Sequence, residues 1–343
     1  MPRLGVNLTP LVVRHVLGLE DLRGKSFAVD ANNFLYQFLA VVRLPNGTLL
    51  KDSKGNITSH LVGLMFRSTR LMLDYDVDLV FVFDGKPPEL KAREILERRK
   101  LREKAFLEWQ KALEAKDYTT AFSKAVMTSR LTEPLIQDAK TLLGLLGIPF
   151  VQAPSEAEAQ IAHMAIKGDV WAASSKDYDT LLFGAPRLLR YLTITGKEFL
   201  PSKGVARPLK PELIVLQEFL SHHQISREQL VDLAILIGTD FNEGIKGIGP
   251  KTALRLVKEH GKLENMPEKI VSKLPSNYDE IREIFLQPKV TDNYAIQYGT
   301  LQEDKLYEFL CEKHEFSKQR VGKVIQRMKN FYSKRKQSKL SQF

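Results

Sequence analysis

The stretch that most limits what this chain can fold into is VDLVFVFD, residues 77–84. Its apolar, β-branched and aromatic residues predict a strand that is buried on both faces. Gly85 and two prolines follow at once, so the strand is expected to end at Asp84. Residues 25–30, KSFAVD, repeat the pattern and end in Asp30. Two strands are therefore predicted to carry an aspartate at their carboxyl ends, where open α/β sheets bind ligands.

Other segments complete an alternation of strands and helices. Further strands are predicted at 148–152, 169–174 and 187–195, and helices at 31–42, 60–74, 89–115 and 132–146. This alternation indicates a mainly parallel sheet flanked by helices, which is an α/β fold. A loop or hairpin is predicted at 45–59, and the weakly periodic segment 116–130 is expected to be mobile.

Two acidic pairs follow in the middle of the chain. Glu156 and Glu158 lie in APSEAEA, and Asp177 and Asp179 lie in SSKDYDTLLFG. Residues two apart do not face each other on a regular helix, so such pairs converge best at a helix entry or in extended chain. Asp240 follows another predicted helix, over 227–239. Taken singly, each acid has a structural explanation as a helix cap, a partner of the helix dipole or an Asx-turn residue.

Basic residues are concentrated in two places in a chain of net charge +10. Residues 91–104 hold seven Lys or Arg against three Glu, and residues 318–339 hold nine with no acid. Two separate basic segments favour nucleic acid as the partner. Lys91 and Arg98 are two helical turns apart and share a face about 10 Å apart along the axis. They either belong to a solvated charged surface or neutralise charge on a phosphate.

Seven carboxylates in all follow strands or stand at helix ends: Asp30, Asp84, Glu156, Glu158, Asp177, Asp179 and Asp240. In one crevice they could not all stay ionised without cations, because like charges raise one another's pKa. Mg²⁺ prefers oxygen ligands and keeps several waters. Two such ions about 4 Å apart can stabilise both oxygens of an in-line phosphoryl transfer. The pattern predicts a metal-dependent nuclease, and the expected cofactor is Mg²⁺, two ions per active site, for which Mn²⁺ can substitute.

A glycine turn before a helix predicts a second contact with nucleic acid. In GIKGIGPKTALRLV, residues 244–257, Gly247 and Gly249 make a tight turn and a proline suits the first helical position. Lys251 and Thr252 follow on the first helical turn. Backbone N–H groups at such a turn bind phosphate. The pattern is that of a helix-hairpin-helix, expected over 227–260, for sequence-independent contact with the nucleic-acid backbone.

Composition excludes several other classes of protein. No apolar run is long enough to span a bilayer, and the N-terminus has no cleavable signal pattern, so an intracellular protein without membrane contact is expected. Cys311 is the only cysteine, which excludes an intramolecular disulfide framework and a cysteine-rich zinc site. The seven histidines show no paired ligand spacing, so zinc has little support.

Five segments carry a family resemblance: VDANNFLYQF, VFVFDGKPPELKAREILERR, GIPFVQAPSEAEAQIA, SSKDYDTLLFG and LIGTDFNEGIKGIGPKTAL. They resemble the motifs of the flap endonucleases, in the XPG family of structure-specific 5′ nucleases, in order over nearly the whole chain. The resemblance implies a PIN-like α/β fold and two-metal hydrolysis of a DNA phosphodiester near a 5′-flap junction. It also implies a 5′-exonuclease side activity and work in Okazaki-fragment processing and DNA repair.

The resemblance further implies roles for single residues. The seven acids match the family's metal-coordinating carboxylates, and Asp179 is also expected to be required for cleavage. Lys91 and Arg98 match its catalytic basic pair, below a helical arch and cap expected over about 89–130. Tyr36 matches the aromatic residue that stacks on the nucleotide beside the scissile bond. The family commonly begins with Met-Gly and places the freed glycine near the active site, whereas four residues precede Gly5 here.

The C-terminal segment QSKLSQF resembles the motif that docks on the replication sliding clamp. Gln337, Leu340 and Phe343 have the matching spacing, although the segment ends on one Phe where two aromatic residues are usual. The expected organisation is a single nuclease domain over 1–330 and a flexible basic tail over 331–343, in a monomer.

Two alternatives stay open. Another XPG-family nuclease, acting on gaps, bubbles or four-way junctions, would carry the same acids, although the short link before APSEAEA is unlike the long insert of the excision-repair member. A non-catalytic DNA-binding or clamp-tethered scaffold would need only the helix-hairpin-helix, but a phosphate binder gains nothing from clustered carboxylates. The tail indicates an archaeal or eukaryotic source and the compact length favours an archaeal one. The expected location is the cytoplasm and nucleoid in the first case and the nucleus in the second.

Overall fold

The computed structural model describes residues 5–192, 197–200 and 205–340. The strands are β1 His15–Val16, β2 Ser26–Asp30, β3 Asp78–Phe83, β4 Phe150–Gln152, β5 Ala172–Ser174, β6 Arg187–Arg190, β7 Lys197–Leu200, β8 Val205–Pro208, β9 Glu212–Val215, β10 Gly238–Thr239 and β11 Asn242–Glu243. β7 pairs with β8 and β10 with β11 as small ribbons, and the other strands form one sheet.

The helices surround this sheet. They are α1 Ala31–Val41, α2 Ser59–Gly63, α3 Thr69–Tyr75, α4 Ala92–Glu114, α5 Tyr118–Met127, α6 Glu133–Leu146, α7 Ala157–Ile166, α8 Asp179–Leu182, α9 Leu216–His223, α10 Arg227–Ile237, α11 Pro250–His260, α12 Glu268–Val271, α13 Tyr278–Leu286, α14 Glu303–Tyr307 and α15 Lys318–Leu340. A π-helical turn, Leu64–Ser68, joins α2 to α3 as one helical rod.

The main sheet has seven strands in the order β1-β9-β6-β5-β2-β3-β4. β6, β5, β2, β3 and β4 are parallel. β9 pairs with β6 in antiparallel orientation, and the short β1 pairs with β9 at the edge. The predicted mainly parallel α/β sheet is therefore confirmed. Because parallel strands end at the same edge, the segments after β2, β3, β4 and β5 all begin on one side of the molecule. That side holds the acids.

Each face of the sheet packs against its own layer of helices. In β2, Ala28 belongs to the core beneath α7, α10, α11 and α13, whereas Phe27 and Val29 belong to the core beneath α1, α2, α3, α6 and α15. Successive side chains of a strand point to opposite faces, so one strand serves both cores. Burial on both faces explains the continuous apolar runs of the sequence.

The segment 116–130, part of the expected helical arch and cap, contains a helix that its periodicity did not predict. α5 packs along α4, and Asp117 caps it by accepting a hydrogen bond from the Thr120 backbone at 3.0 Å. Its buried residues are Ala121 and Ala125. Alanines bring two helices close together but give almost no hydrophobic periodicity, which explains the weak pattern.

The expected boundary at residue 331 falls inside α15. Phe331 is buried, Tyr332 donates a hydrogen bond to the Leu146 carbonyl at 2.7 Å, and Arg335 pairs with Asp78. These contacts extend the folded unit beyond the predicted domain end. Gln337 and Leu340 lie on the same helix, and Phe343 lies outside the described residues.

Smaller differences concern element ends. The strand predicted at 187–195 ends at Arg190, and residues 193–196 lie outside the described part. The helix predicted at 227–239 ends at Ile237. Within the residues that the structure describes, no helix has both the length and the apolarity to cross a bilayer.

Candidate active site

A cleft of about 590 Å³ lies between the acid-bearing edge of the sheet and the helices α4 and α5. Its lining brings together predicted residues from distant parts of the chain: Tyr36, Arg98, Glu158, Asp177, Asp179 and Asp240. Convergence of these side chains is the arrangement that the sequence predicted. Asp30, Asp84, Glu156 and Lys91 reach the same crevice through the contacts described below.

Asp30 and Asp84 stand side by side at the ends of β2 and β3. Asp30 caps α1 by accepting a hydrogen bond from the Asn33 backbone at 2.9 Å. Asp84 accepts from Asn32 Nδ2 at 2.6 Å and from the backbone N–H of Ala157 at 2.7 Å. The cap explanation of Asp30 is thus correct, and it is compatible with a place in the crevice. Asp84 also satisfies a free N–H group at the start of α7.

Lys91 and Arg98 converge on one carboxylate. Lys91 Nζ lies 3.1 Å from Asp240 Oδ2, and Arg98 Nη2 lies 3.3 Å from the same oxygen. Lys91 also pairs with Glu156, and Arg98 with Glu94. Lys91 lies on the 3₁₀ turn before α4 and Arg98 on α4 itself, and the two cations meet at the acids. The solvated-surface explanation therefore does not apply to them.

Glu158 and the 175–179 loop form the other side of the crevice. Glu158 Oε1 accepts from Ser175 Oγ at 2.8 Å and from Thr180 Oγ1 at 3.2 Å. Asp177 accepts from Asn33 Nδ2 at 3.1 Å. Asp179, at the first position of α8, is buried with only 4% of its surface exposed. These acids are held by neutral donors.

The first described residues also reach the acids. Gly5 donates its backbone N–H to Asp240 Oδ1 at 2.9 Å, and Val6 donates to Asp179 Oδ1 at 3.1 Å. Gly5 has a φ of +70°, a region that glycine enters without strain. The resemblance placed a glycine near this site, and Gly5 is at that place although four residues precede it.

Sequence reasoning missed further residues that donate hydrogen bonds to the acids: Val6, Asn32, Asn33, Ser175 and Thr180. A usable signal was present for some of them. The two asparagines follow Asp30 directly, and Ser175 precedes Asp177 by two residues. The contact of the N-terminal backbone with Asp240, 235 residues away, had no local signal.

The environment disfavours ionised acids in this crevice. Burial raises the pKa of the Asp179 carboxyl well above its usual range, and the charges of Asp240 and Asp177 raise it further. Burial and the neighbouring acids raise the pKa of Glu158 in the same way. The pKa of Asp30 is raised chiefly by burial. Cations that enter the crevice would reverse this destabilisation.

The cationic side of the crevice behaves differently. Burial disfavours the charged form of Lys91, but Glu156 and Asp240 outweigh it and raise the pKa of the ammonium group. Burial raises the pKa of Glu156, and the Lys91 charge lowers it in part. Lys91 therefore stays charged and pairs directly with Glu156 and Asp240. Its charge also lowers the pKa values of Asp30, Glu158 and Asp179, but burial and the neighbouring acids outweigh it there.

The acids offer oxygen ligands only, which suits Mg²⁺ and Mn²⁺ rather than softer metals. Within the described ranges, no three His, Cys, Asp or Glu side chains surround one point closely enough to hold an ion by themselves. Mg²⁺ needs only one or two carboxylates, because water and substrate phosphate complete its shell. The donor set fits such an ion.

The predicted helix-hairpin-helix has the expected geometry. α10 and α11 pack together, Gly247 has a φ of +89°, and Gly249 caps α11 ahead of Pro250. Lys251 and Thr252 are exposed on the first turn. A groove of about 650 Å³ runs between this hairpin and the start of α4. The residues predicted to contact a DNA backbone thus present an open surface beside the crevice, and that contact stays a prediction.

Comparison with known proteins agrees with this geometry. Family models described as the XPG N-terminal domain and the XPG I-region match residues 6–105 and 147–240. The chain is 48% identical over 338 residues to the protein named flap endonuclease 1 from Pyrococcus abyssi, covering 98% of this chain and 97% of that one. Flap endonuclease-1 from Methanococcus jannaschii has a similar structure, with a TM-score of 0.77, 40% identity and coverage of 96% and 100%.

A more distant structure shares the fold. Human GEN1 in complex with Holliday junction DNA matches with a TM-score of 0.68 and 24% identity, covering 96% of this chain and 78% of that one. The two family models together span more than half of the chain, and the relatives match nearly all of it. As its motifs predicted, the chain belongs to the XPG family and is a metal-dependent, structure-specific DNA nuclease.

Proposed function

We propose that this nuclease cleaves 5′ flaps in DNA, at a phosphodiester near the junction of single and double strand, with two Mg²⁺ ions. A 5′-exonuclease activity accompanies it. The observation that carries the proposal is the joining of Tyr36, Arg98 and four of the acids in one cleft beneath α4 and α5. The names of the relatives support the flap as substrate.

The seven acids Asp30, Asp84, Glu156, Glu158, Asp177, Asp179 and Asp240 would hold the ions. When bound, the ions would stabilise charge on the attacking and leaving oxygens. The chain's own part is to hold the carboxylates close together, as the hydrogen bonds to Glu158, Asp84 and Asp240 do. Mn²⁺ has similar ligand preferences and would substitute.

Lys91 and Arg98 would bind the scissile phosphate. Both cations already point at Asp240, so a phosphate that enters the crevice meets two donors aimed at one place. Fixed donors of this kind stabilise developing negative charge without reorganising. Tyr36, half-buried in the cleft wall, would stack on the nucleotide next to the scissile bond.

The remaining contacts would position the substrate. Gly247, Gly249, Lys251 and Thr252 would bind the backbone of the duplex, and the arch formed by α4 and α5 would receive the single-stranded flap. We further propose that the enzyme acts as a monomer in Okazaki-fragment processing and DNA repair. Gln337, Leu340 and Phe343 would then dock the C-terminus on the sliding clamp. These roles would place the enzyme with chromosomal DNA, in the cytoplasm and nucleoid of an archaeal cell or in a eukaryotic nucleus.

The test compares 5′-labelled flap, gapped, bubble and four-way-junction DNAs of equal arm length with Mg²⁺ and with EDTA. We expect the flap to be cleaved fastest, at the junction, and all cleavage to stop in EDTA. A dominant activity on four-way junctions, the DNA bound to GEN1, would overturn the flap assignment. Binding of every DNA without cleavage of any would favour a scaffold instead.

A further inference from the structure

Arg190 lies at the end of β6, buried behind the loop that carries Asp177 and Asp179. Its Nε donates to the carbonyl oxygen of Lys176 at 2.8 Å, and its Nη1 donates to the Tyr178 hydroxyl at 2.5 Å. These two contacts fix the residues on either side of Asp177. One of these residues, Tyr178, also directly precedes Asp179.

The Arg190 guanidinium packs against two tyrosine rings. The Arg190 Cζ atom is 3.9 Å from the ring centre of Tyr178 and 4.5 Å from that of Tyr191. Nη2 donates to the Tyr191 hydroxyl at 2.8 Å. Tyr191 has a φ of +59°, which an L-residue adopts only where the surroundings impose it. The backbone is thus bent to bring the second ring to the arginine.

The arginine is also linked to the opposite strand. Nη1 lies 3.4 Å from Glu212 Oε2 on β9, which balances the buried charge. No other side chain could make this set of contacts, because only a planar guanidinium donates in several fixed directions while stacking on aromatic rings. A lysine at this position could neither donate hydrogen bonds in several fixed directions nor stack on the two rings.

We propose that Arg190 is a positioning residue that sets the affinity of the crevice for divalent cations by holding the 176–179 loop in place. The proposal rests on the proposed metal-binding role of Asp177 and Asp179. The carboxylates of Asp177 and Asp179 accept hydrogen bonds from Asn33 and from the Val6 backbone, which lie on different elements. Thr9 Oγ1 also lies 3.2 Å from the Tyr178 hydroxyl, but Arg190 contacts the loop at two residues, through the Lys176 carbonyl and the Tyr178 hydroxyl.

The test uses the full chain with Arg190→Gln and Arg190→Lys. Arg187→Gln is the matched control, because Arg187 lies on the same strand over the Trp171 ring and bonds its carbonyl at 3.2 Å. Mn²⁺ binding is measured by electron paramagnetic resonance without DNA. We expect the two Arg190 variants to bind Mn²⁺ about tenfold or more weakly, and the control to match the wild type.

Cleavage supplies a second readout. The Arg190 variants should need about tenfold more Mn²⁺ for half-maximal single-turnover cleavage of a flap, with saturating Mn²⁺ restoring most of the rate. Flap binding in EDTA should not change. Wild-type Mn²⁺ affinity in variants of lower thermal stability would overturn the proposal and leave a purely structural role.

Failure of the variants to fold and failure of the wild-type chain to bind Mn²⁺ would have different meanings. Should the Arg190 variants fail to fold, Tyr178→Phe removes one contact and keeps the arginine, and unchanged Mn²⁺ affinity in it would reject the proposal. A wild-type chain that binds no Mn²⁺ and cleaves no DNA would instead contradict the proposed function, on which this inference depends.

Discussion

Two buried aspartates in this protein have opposite surroundings. Asp179 in the crevice is 4% exposed, and Asp232 on α10 is 2% exposed. Asp232 accepts hydrogen bonds from Arg282 Nε at 2.9 Å and from the Leu263 backbone at 3.3 Å. Asp179 accepts from the Val6 backbone, and no ion pair is recorded for it among the described residues. The two side chains are buried to a similar extent, but of the two acids only Asp232 has an ion pair among the described residues.

The charges around the two acids explain the difference. Burial raises the pKa of both carboxyls. Arg282 lowers the pKa of Asp232, whereas Asp240 and Asp177 raise that of Asp179 still further. Arg282 also pairs with Glu264 and Asp279, so it closes a structural network on the far side of α10. A buried acid with a resident cation stabilises the fold, and a buried acid among other acids indicates an ion-binding site.

The largest effect is expected for Asp179→Asn. The amide keeps the shape and the acceptor for Val6 but removes the charge that would hold an ion. We expect single-turnover flap cleavage to fall about 10³-fold or more, with flap binding retained. Thermal stability in EDTA should be unchanged or higher, because one repulsive charge is gone. Cleavage at the wild-type rate would remove Asp179 from the mechanism.

Asp232→Asn should show the reverse pattern. The variant removes the negative charge that pairs with the partly buried Arg282 guanidinium, so we expect the free energy of unfolding to fall by about 3 kcal/mol. Chemical denaturation measures this. The cleavage rate per folded molecule should be unchanged, since Asp232 lies outside the cleft. If the variant instead lost catalysis and kept its full stability, Asp232 could not be assigned a structural role in contrast to Asp179.

The pH dependence of stability should separate the regions without mutation. The raised pKa values of Asp179, Glu158 and Asp30 mean that the folded, metal-free chain binds protons more tightly than the unfolded chain. Stability in EDTA should therefore fall as pH rises from the ordinary carboxyl pKa, about 4, through the raised values. Mn²⁺ should restore stability at neutral pH and do little at pH 5, which thermal scans can measure. A metal-free chain that gains stability over this range would contradict the crevice electrostatics.

The smallest effect is expected outside both acid regions, at the helix-hairpin-helix. Lys251→Ala removes one exposed cation at the start of α11, so flap binding should weaken equally for all sequences. The slope of log affinity against log salt should fall by about 1. Lys258→Ala, near the other end of the same helix, is the control and should change the slope less. Equal effects of the two would indicate a general charge effect rather than a contact of the hairpin.

Local sequence patterns were enough to predict the sheet and the acids. The apolar runs before Asp30 and Asp84 could only be buried strands, and Gly247 to Lys251 could be recognised by turn chemistry alone. α5 was not predicted from local pattern, because its packing on α4 depends on two alanines, whose small side chains make only a weakly apolar face. The extent of α15 was missed for a related reason, since contacts of Tyr332 and Arg335 with distant residues extend it past the expected boundary.

By itself the sequence determined which residue types stand at the strand and helix ends, because burial and turn formation are local in the chain. It thereby determined the α/β class and the seven acids. Only the tertiary structure decided how they are neutralised. Lys91 and Arg98 meet at one oxygen of Asp240, while the Gly5 backbone donates to its other oxygen and the Val6 backbone donates to Asp179, through contacts that span up to 235 residues. Electrostatic energy depends on distance in space, and distance along the chain does not reveal it.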